Sequence, residues 1–426
     1  MIYGTLRRGE PAQMRPEDEP PEMKPSGAPP LALLAAVTAI GFAALHMVVP
    51  VLPLLATVFD RGATEAQLVL TLYFVGIATG QLIYGPVSDR FGRRPVLLCG
   101  LGLFVGGTVL CAAAWSLPVL IFGRVVQALG GCSGLVLSRA IIRDVYDRDA
   151  SARAIALVMM AMTLVPALCP AVGAYVTQWF GWRAIFGLLG SLGAAALALS
   201  AVRLRETHSG GRIPLDLGGL AASYLILTRS GAFCFFALSS ACSSASWFTF
   251  IASAPYLLSV GFHQPPSTYG AMILVPMAAY MVGNGAAARL GRYVHCRNLF
   301  VAGLLVSVGS GILMALWCGA ALSPWALFIP MALSSAGNGL SQPGALASGL
   351  SVFPRIAGTA SGVMGFSQMA VSALGTLALA PFPRDSVMAV VGVVGAAQLM
   401  ALACGIAALR RPDGSRQIVA EAGGDC

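Results

Sequence analysis

Gly85-Pro86-Val87-Ser88-Asp89-Arg90-Phe91-Gly92-Arg93-Arg94-Pro95-Val96-Leu97 is a short charged stretch set between two long apolar ones. Its pattern is G-x-x-x-D-R-x-G-R-R-x-x-L. A bilayer span must satisfy every backbone N–H and C=O internally, and charged side chains belong at its ends. The stretch therefore reads as a tight connection between two membrane spans. Gly92 permits the turn, and Asp89 offers a carboxylate to a helix N-terminus or to an arginine.

The rest of the chain supports a membrane setting. Of its 426 residues, 57% are apolar and only 10% are charged, and the mean hydropathy is +0.80. Such a composition excludes an ordinary soluble domain. The formal charge of +9 is carried by arginine, with Lys24 the one lysine. In a soluble protein that excess would point to nucleic acid; here it sorts by loop, so no nucleic-acid partner is expected. The ten cysteines lack C-x-x-C or metal-ligand spacing and several sit inside apolar runs. They read as small buried hydrophobes, and no metal site or cofactor is expected. An intramembrane enzyme would need paired aspartates, H-E-x-x-H or G-x-S-x-G in the spans, and none is present.

Apolar runs of about 20 residues occur near 31–57, 67–88, 95–115, 117–138, 153–178, 183–202, 231–258, 268–288, 298–318, 323–346, 356–381 and 386–409. The expected fold is an all-α membrane protein with twelve transmembrane helices in two six-helix bundles. Residues 1–29, rich in proline and in charges of both signs, read as a disordered cytoplasmic tail without signal-peptide features. The N-terminal bundle takes 30–203, a cytoplasmic linker 204–229, the C-terminal bundle 230–410 and a second cytoplasmic tail 411–426. Of the 26 basic residues, only Arg61, Arg183 and Arg384 fall on one face, and Arg124 lies inside a span. The positive-inside rule then places both termini in the cytoplasm. Arg289-Leu290-Gly291-Arg292 repeats Arg90-Phe91-Gly92-Arg93 after the eighth span, with Ala288 in place of Asp89.

The loop closely resembles the signature that joins the second and third spans of the major facilitator superfamily. Further segments resemble its drug–proton antiporters with twelve spans, of the bicyclomycin/chloramphenicol-resistance (Bcr/CflA) type. They are Gly80-Gln81-Leu82-Ile83-Tyr84-Gly85-Pro86, Arg124-Val125-Val126-Gln127-Ala128-Leu129-Gly130-Gly131, Leu137 to Asp144, Gly181-Trp182-Arg183-Ala184-Ile185-Phe186 and Phe250-Ile251-Ala252-Ser253-Ala254-Pro255-Tyr256. The resemblance implies a bacterial inner-membrane exporter of small hydrophobic or antibiotic-like compounds, working as a monomer by proton antiport. An exporter of an endogenous metabolite, or a facilitator not coupled to protons, is the alternative.

It also implies residue roles. Gly85, Asp89, Arg90, Gly92, Arg93 and Arg94 would form a gate against the start of the eleventh span near Arg355. Arg124 and Gln127 would join a polar network tied to proton movement; the alternative for Arg124 is to snorkel to the outer interface. Pro166, Pro170 and Gly173 resemble the antiporter motif, a bent helix packed on the first and eighth spans, though Ala174 replaces its usual second glycine.

The first span departs from the subfamily. An acid is expected four residues before Pro50 in the Pro50-Val51-Leu52-Pro53 pair, and His46 stands there. None of the 17 acidic residues lies deep in a predicted span. Histidine gains and loses a proton near neutral pH, so His46 is the candidate proton site; a neutral histidine bonded at a helix interface fits equally. Substrate would bind between the bundles near mid-membrane. Tyr73, Tyr84, Trp247, Phe250, Ser253, Tyr256, Tyr280, Asn284, Asn338, Gln342 and Gln368 are candidate lining groups, suited to lipophilic neutral or anionic molecules. The run Ser239–Ser246 reads as close helix packing.

Overall fold

The computed structural model describes residues 29–146, 148–207, 217–383 and 386–411, and among these every regular element is helical. The first half comprises α1 Leu31–Val58, α2 Ala63–Phe91, α3 Arg93–Ala112, α4 Leu117–Val145, α5 Arg148–Phe180 and α6 Trp182–Arg203. A short helix, α7 Leu217–Arg229, precedes the second half. That half comprises α8 Gly231–Gly261, α9 Ser267–Leu290, α10 Cys296–Ala320, α11 Pro324–Ser351, α12 Ala357–Leu377 and α13 Val387–Arg410. A helix thus stands at each of the twelve expected spans. The expected tails lie outside the described residues, apart from their first or last few positions.

Among the described residues, nine helices are long and apolar enough to cross a membrane by length and composition: α1–α4, α6, α8–α10 and α13. The others have physical reasons for being less apolar. The apolar part of α5 is Leu164–Phe180. Helix α11 turns Ser334, Ser335, Asn338 and Ser341 inward, and α12 is rich in glycine, serine and alanine. Helices covered by neighbours need close contact more than oiliness.

Proline explains the irregular turns. In α1 the residues Val49–Val51 form a 3₁₀ turn around Pro50, which lacks an N–H. Helix α9 is interrupted at Ile273, three residues before Pro276. Helix α8 ends in a π turn, Leu257–Gly261, just after Pro255. Two connections need a backbone conformation that favours glycine: Gly92, with φ 96°, between α2 and α3, and Gly181, with φ 81°, between α5 and α6.

The halves repeat one packing pattern. Helix α1 packs on α4, α5 and α6, as α8 packs on α11, α12 and α13. Helix α3 packs on α4 and α6, as α10 packs on α11 and α13. Small residues allow this in both halves. Gly130 of α4 lies against the Phe104 backbone of α3, and Gly107 of α3 against the Gln127 backbone of α4. Gly303 of α10 and Gly337 of α11 make the corresponding contact. Between the halves α2 meets α12, α5 meets α9, and α1 meets α8. Helix α7 rests on α8 and α12.

Gly130→Leu should force α3 and α4 apart. The expected loss is roughly 1–3 kcal/mol, as for an overpacked core, read as a lower melting temperature of the detergent-purified protein. Gly102→Leu, at a position with open space around it, should leave that temperature unchanged. Equal melting of the two variants would contradict the packing role of Gly130.

Candidate functional site

The Gly85–Leu97 connection is built around Arg93. Its guanidinium Nη1 lies 2.6 Å from Asp89 Oδ1 and donates to Ser88 Oγ at 2.6 Å, while Nε donates to Asp144 Oδ2 at 2.9 Å. One arginine of α3 therefore ties the end of α2 to the end of α4. Asp89 remains about half exposed, whereas Arg93 and Asp144 are more enclosed, so the Asp144 bond is the less screened. The Glu206 carboxylate accepts from the Arg93 and Arg94 backbone N–H groups at 2.9 and 3.2 Å. It satisfies donors that the start of α3 cannot bond internally, and its negative charge suits a helix N-terminus. Arg94 Nη2 donates to the Ala201 carbonyl at 2.8 Å, fixing the loop to α6. Arg90 lies over the neighbouring Phe91 ring, 5.1 Å from its centroid. Sequence reasoning missed Glu206: the acid after the sixth span is visible, but nothing local ties it to a loop 113 residues earlier.

A cavity of about 550 Å³ opens beside this loop, bounded by α2, the start of α3, α4, α7 and α12. Gln81, Asp89, Arg139, Arg143, Tyr224 and Thr359 are among its lining groups. The Tyr224 hydroxyl of α7 donates to the Leu82 carbonyl at 3.1 Å, joining the connecting helix to α2. The short turn Pro354–Ile356 leads into α12 at the cavity. The side chain of Arg355 lies outside the described part of the molecule.

At the opposite end the halves meet. The Tyr256 hydroxyl of α8 reaches the Leu52 and Ala63 carbonyls of the first half at 3.2 and 3.4 Å. Thr71 and Thr376 share a hydrogen bond at 2.9 Å between α2 and α12. Phe74 meets Phe248 edge-on at 4.9 Å. Gly270 of α9 sits against Ala171 of α5, and Gly173 of α5 against the Met47 backbone of α1. Pro166 and Pro170 both lie within α5, in the helix that makes these two contacts.

His46 and Arg124 are buried in the first half. The His46 Nδ1 lies 2.8 Å from the Phe42 carbonyl. A carbonyl only accepts, so Nδ1 carries the hydrogen and the neutral ring presents Nε2 as an acceptor. Nε2 is buried without a hydrogen-bond partner. The ring lies beside Phe42 and, across the halves, beside Phe248 of α8, with centroids 6.3 and 6.4 Å away.

Arg124 is fully buried, so its head group does not snorkel. Its Nη1 donates to the Ala44 carbonyl at 3.1 Å and to Gln127 Oε1 at 2.6 Å; Gln127 in turn donates to Thr108 Oγ1 at 2.8 Å. Its Cζ lies 3.9 Å from the Tyr73 ring centroid, a cation–π contact. The Tyr73 hydroxyl donates to the Gly41 carbonyl at 2.7 Å. Among the described residues no carboxylate pairs with Arg124, and its Nε and Nη2 lack hydrogen-bond partners.

The aromatic and amide candidates fall into separate groups. Tyr73 lies beneath Arg124, and Tyr256 belongs to the closed end. Phe250 is fully buried in the second half, 5.2 Å from Phe328 and 6.4 Å from Trp247. Ser253 donates to the Thr249 carbonyl within α8. Gln342, Ser240, Ser244 and Gln368 form one hydrogen-bonded cluster across α8, α11 and α12. Asn338 is buried and reaches the Ser243 carbonyl at 3.5 Å. Tyr280 and Asn284 are half-buried on α9, whose backbone there abuts Gly339 of α11. Tyr84, also half-buried, lies near Gly100 of α3.

The sequence profile of the Major Facilitator Superfamily matches residues 31–376. The chain is 32% identical over 380 residues to the chloramphenicol resistance protein of Pseudomonas aeruginosa, covering 87% of this chain and 88% of that protein. It is 27% identical over 340 residues to the bicyclomycin resistance protein homolog of Haemophilus influenzae, covering 79% and 85%. A crystal structure of a D-xylose–proton symporter shares the fold with a TM-score of 0.72 at 15% identity, covering 90% of this chain and 98% of that one.

Gly92→Ala should destabilise the loop twice over. At φ 96° and ψ 154° the backbone lies in a region essentially reserved for glycine, where alanine costs about 1–3 kcal/mol, and its methyl would strike the Glu206 carboxylate. Removing that obstacle with Glu206→Ala should make the double variant lose less than the sum of the two single losses. Melting temperatures of the four proteins test this; strict additivity would show that Glu206 does not press on Gly92.

Proposed function

The chain belongs to the Major Facilitator Superfamily, and from that premise we propose that it exports small hydrophobic, antibiotic-like compounds across a bacterial inner membrane by proton antiport. Membership makes it a multi-pass membrane transporter of small molecules rather than an enzyme. The observation that carries the finer reading is the cavity between the halves, open at the Gly92 face while the far end is closed by Tyr256, Phe74 and Phe248. By the positive-inside rule that arginine-rich face is cytoplasmic, so a compound enters from the cytosol, as export requires. The names of the relatives, resistance to chloramphenicol and to bicyclomycin, support antibiotic-sized cargo.

On this reading the halves rock about the α1–α8, α2–α12 and α5–α9 contacts. Closing the cavity brings Asp89 toward the first turn of α12, whose N–H groups attract a carboxylate, while the Tyr256 contacts part. His46 supplies the proton step. Its free Nε2 accepts a proton, but an imidazolium between Phe42 and Phe248 has no counter-charge there and is costly to bury. Protonation therefore favours parting of α1 from α8, where water reaches Nε2. Nε2 takes up a proton from the outer side while the far end is open, and closure of that end around the ring then drives the proton off to the inside. The transporter works as a monomer, since one chain holds both halves.

In everted vesicles, an imposed pH gradient should accelerate accumulation of labelled chloramphenicol by the parent protein. His46→Ala should lose that acceleration, about tenfold or more, a barrier change of roughly 1.4 kcal/mol, while still equilibrating the compound. Uptake indifferent to both gradient and mutation would make the protein a facilitator. Expression in an efflux-deficient host should raise the inhibitory concentration of chloramphenicol or bicyclomycin. No change across a broad antibiotic panel would instead favour an endogenous metabolite as cargo.

A further inference from the structure

We propose that the cavity at the Gly92 face holds a binding site for an anionic group, so that the preferred cargo is a small amphiphile bearing a carboxylate, sulfonate or phosphate. The assignment of that group to cargo rests on the export reading; the site itself rests on geometry alone.

The cavity wall carries Arg93, Arg139 and Arg143 against Asp89 and Asp144. Both acids are engaged by Arg93, at 2.6 and 2.9 Å. That leaves Arg139 and Arg143, one turn apart on α4, with no carboxylate partner among the described residues. The Nε of Arg139 is buried and has no hydrogen-bond partner at all. A guanidinium without an acidic partner is costly to desolvate, and an oxyanion in the cavity supplies the counter-charge that Arg139 and Arg143 lack. The planar fork of arginine matches a carboxylate or phosphate edge to edge.

The facing wall contributes independently. Ile356, Gly358, Thr359 and Ser361 line the cavity at the very start of α12. That N-terminus has no side-chain cap and no acid in its first turn. Its first N–H groups lack acceptors within the helix, and its dipole presents positive charge to the space. Gly358, without a side chain, leaves these donors accessible, and the Thr359 and Ser361 hydroxyls stand beside them. An anion arriving here lies between two guanidinium groups and a helix N-terminus, and it moves deeper before Asp89 takes its place on that terminus as the cavity closes. The volume, about 550 Å³, accommodates a small-molecule ligand, and Leu82, Pro86, Leu135 and Val136 provide apolar wall for its body. Recognition thus divides between a charged head and an apolar remainder.

The test measures binding by calorimetry to the purified full chain in phosphatidylcholine nanodiscs, with 2-naphthoate and its uncharged analogue 2-naphthamide as probes. Naphthoate should bind roughly tenfold tighter than naphthamide, the scale of one good charge-assisted hydrogen bond. Arg139→Gln and Arg143→Gln should each abolish that preference, with melting temperatures equal to the parent's showing that the variants fold. Arg139→Lys, which keeps the charge, should retain part of the preference. Absence of saturable naphthoate binding, equal affinity for the two probes, or glutamine variants that bind naphthoate like the parent would overturn the site. Replacing part of the lipid with phosphatidylglycerol identifies the source of the anion. Unchanged naphthoate affinity supports cargo, whereas competitive loss would assign the site to lipid phosphate and overturn the cargo assignment. Failure of antibiotic export alongside a positive binding result would remove the drug-export reading and leave this site standing.

Discussion

The fold depends on one constraint, the cost of leaving a polar or charged group unsatisfied where water cannot reach it. Helices satisfy their own backbones, so the chain crosses repeatedly as helices and keeps its charges for the connections. Arg93 shows how the constraint shapes the ends. It binds Asp89 and Asp144 at once, and Glu206 covers the N–H groups that open α3. With helices bonded internally, their association must come from packing. Gly107, Gly130, Gly303 and Gly337 serve this by bringing backbones into contact.

Where the constraint is violated, function is the economical explanation. Arg124 is a buried cation whose compensation is two acceptors and the face of Tyr73. His46 keeps an unpartnered nitrogen at the seam between the halves. Both lie where α1 can be held or released. Arg124 grips the Ala44 carbonyl and Tyr73 the Gly41 carbonyl, just before the Pro50 turn interrupts the helix. A helix with one firmly held segment and one irregular turn bends at a defined place.

Much of this was legible in the sequence because it depends on composition and local chemistry. Spans follow from apolar length, and the Gly92 turn from a glycine between arginines. Charge pairing was half legible: Asp89 was expected to meet an arginine or a helix terminus, and it meets Arg93. Three features were not legible. Helix α7 occupies part of what read as a linker, since thirteen residues with two glycines carry too weak a periodic signal. Glu206 acts on a loop far earlier in the chain, and no local pattern encodes such a contact. The burial of Arg124 could not be told from snorkelling, because a shift of about one helical turn separates the two. The cavity belongs to the same class, since its walls come from five helices far apart in the sequence.

The charge inventory bears directly on energetics. Arg124, Arg139 and Arg143 have no carboxylate assigned to them among the described residues, and His46, at the seam between the halves, is itself basic. Such an interior disfavours a cationic passenger and suits an anionic one. In an inside-negative membrane, an anion moving out travels downhill, by about 2.3 kcal/mol per charge for each 100 mV. A proton moving inward travels downhill in the same field. Exchange of one for the other therefore draws on the potential twice, whereas a cationic drug leaving against one proton draws on it not at all. For an anionic cargo the potential alone already drives export, so the proton step need not be tight. A single histidine in place of a carboxylate is then a sufficient coupling group, because it adds directionality to a movement that the electric field already favours.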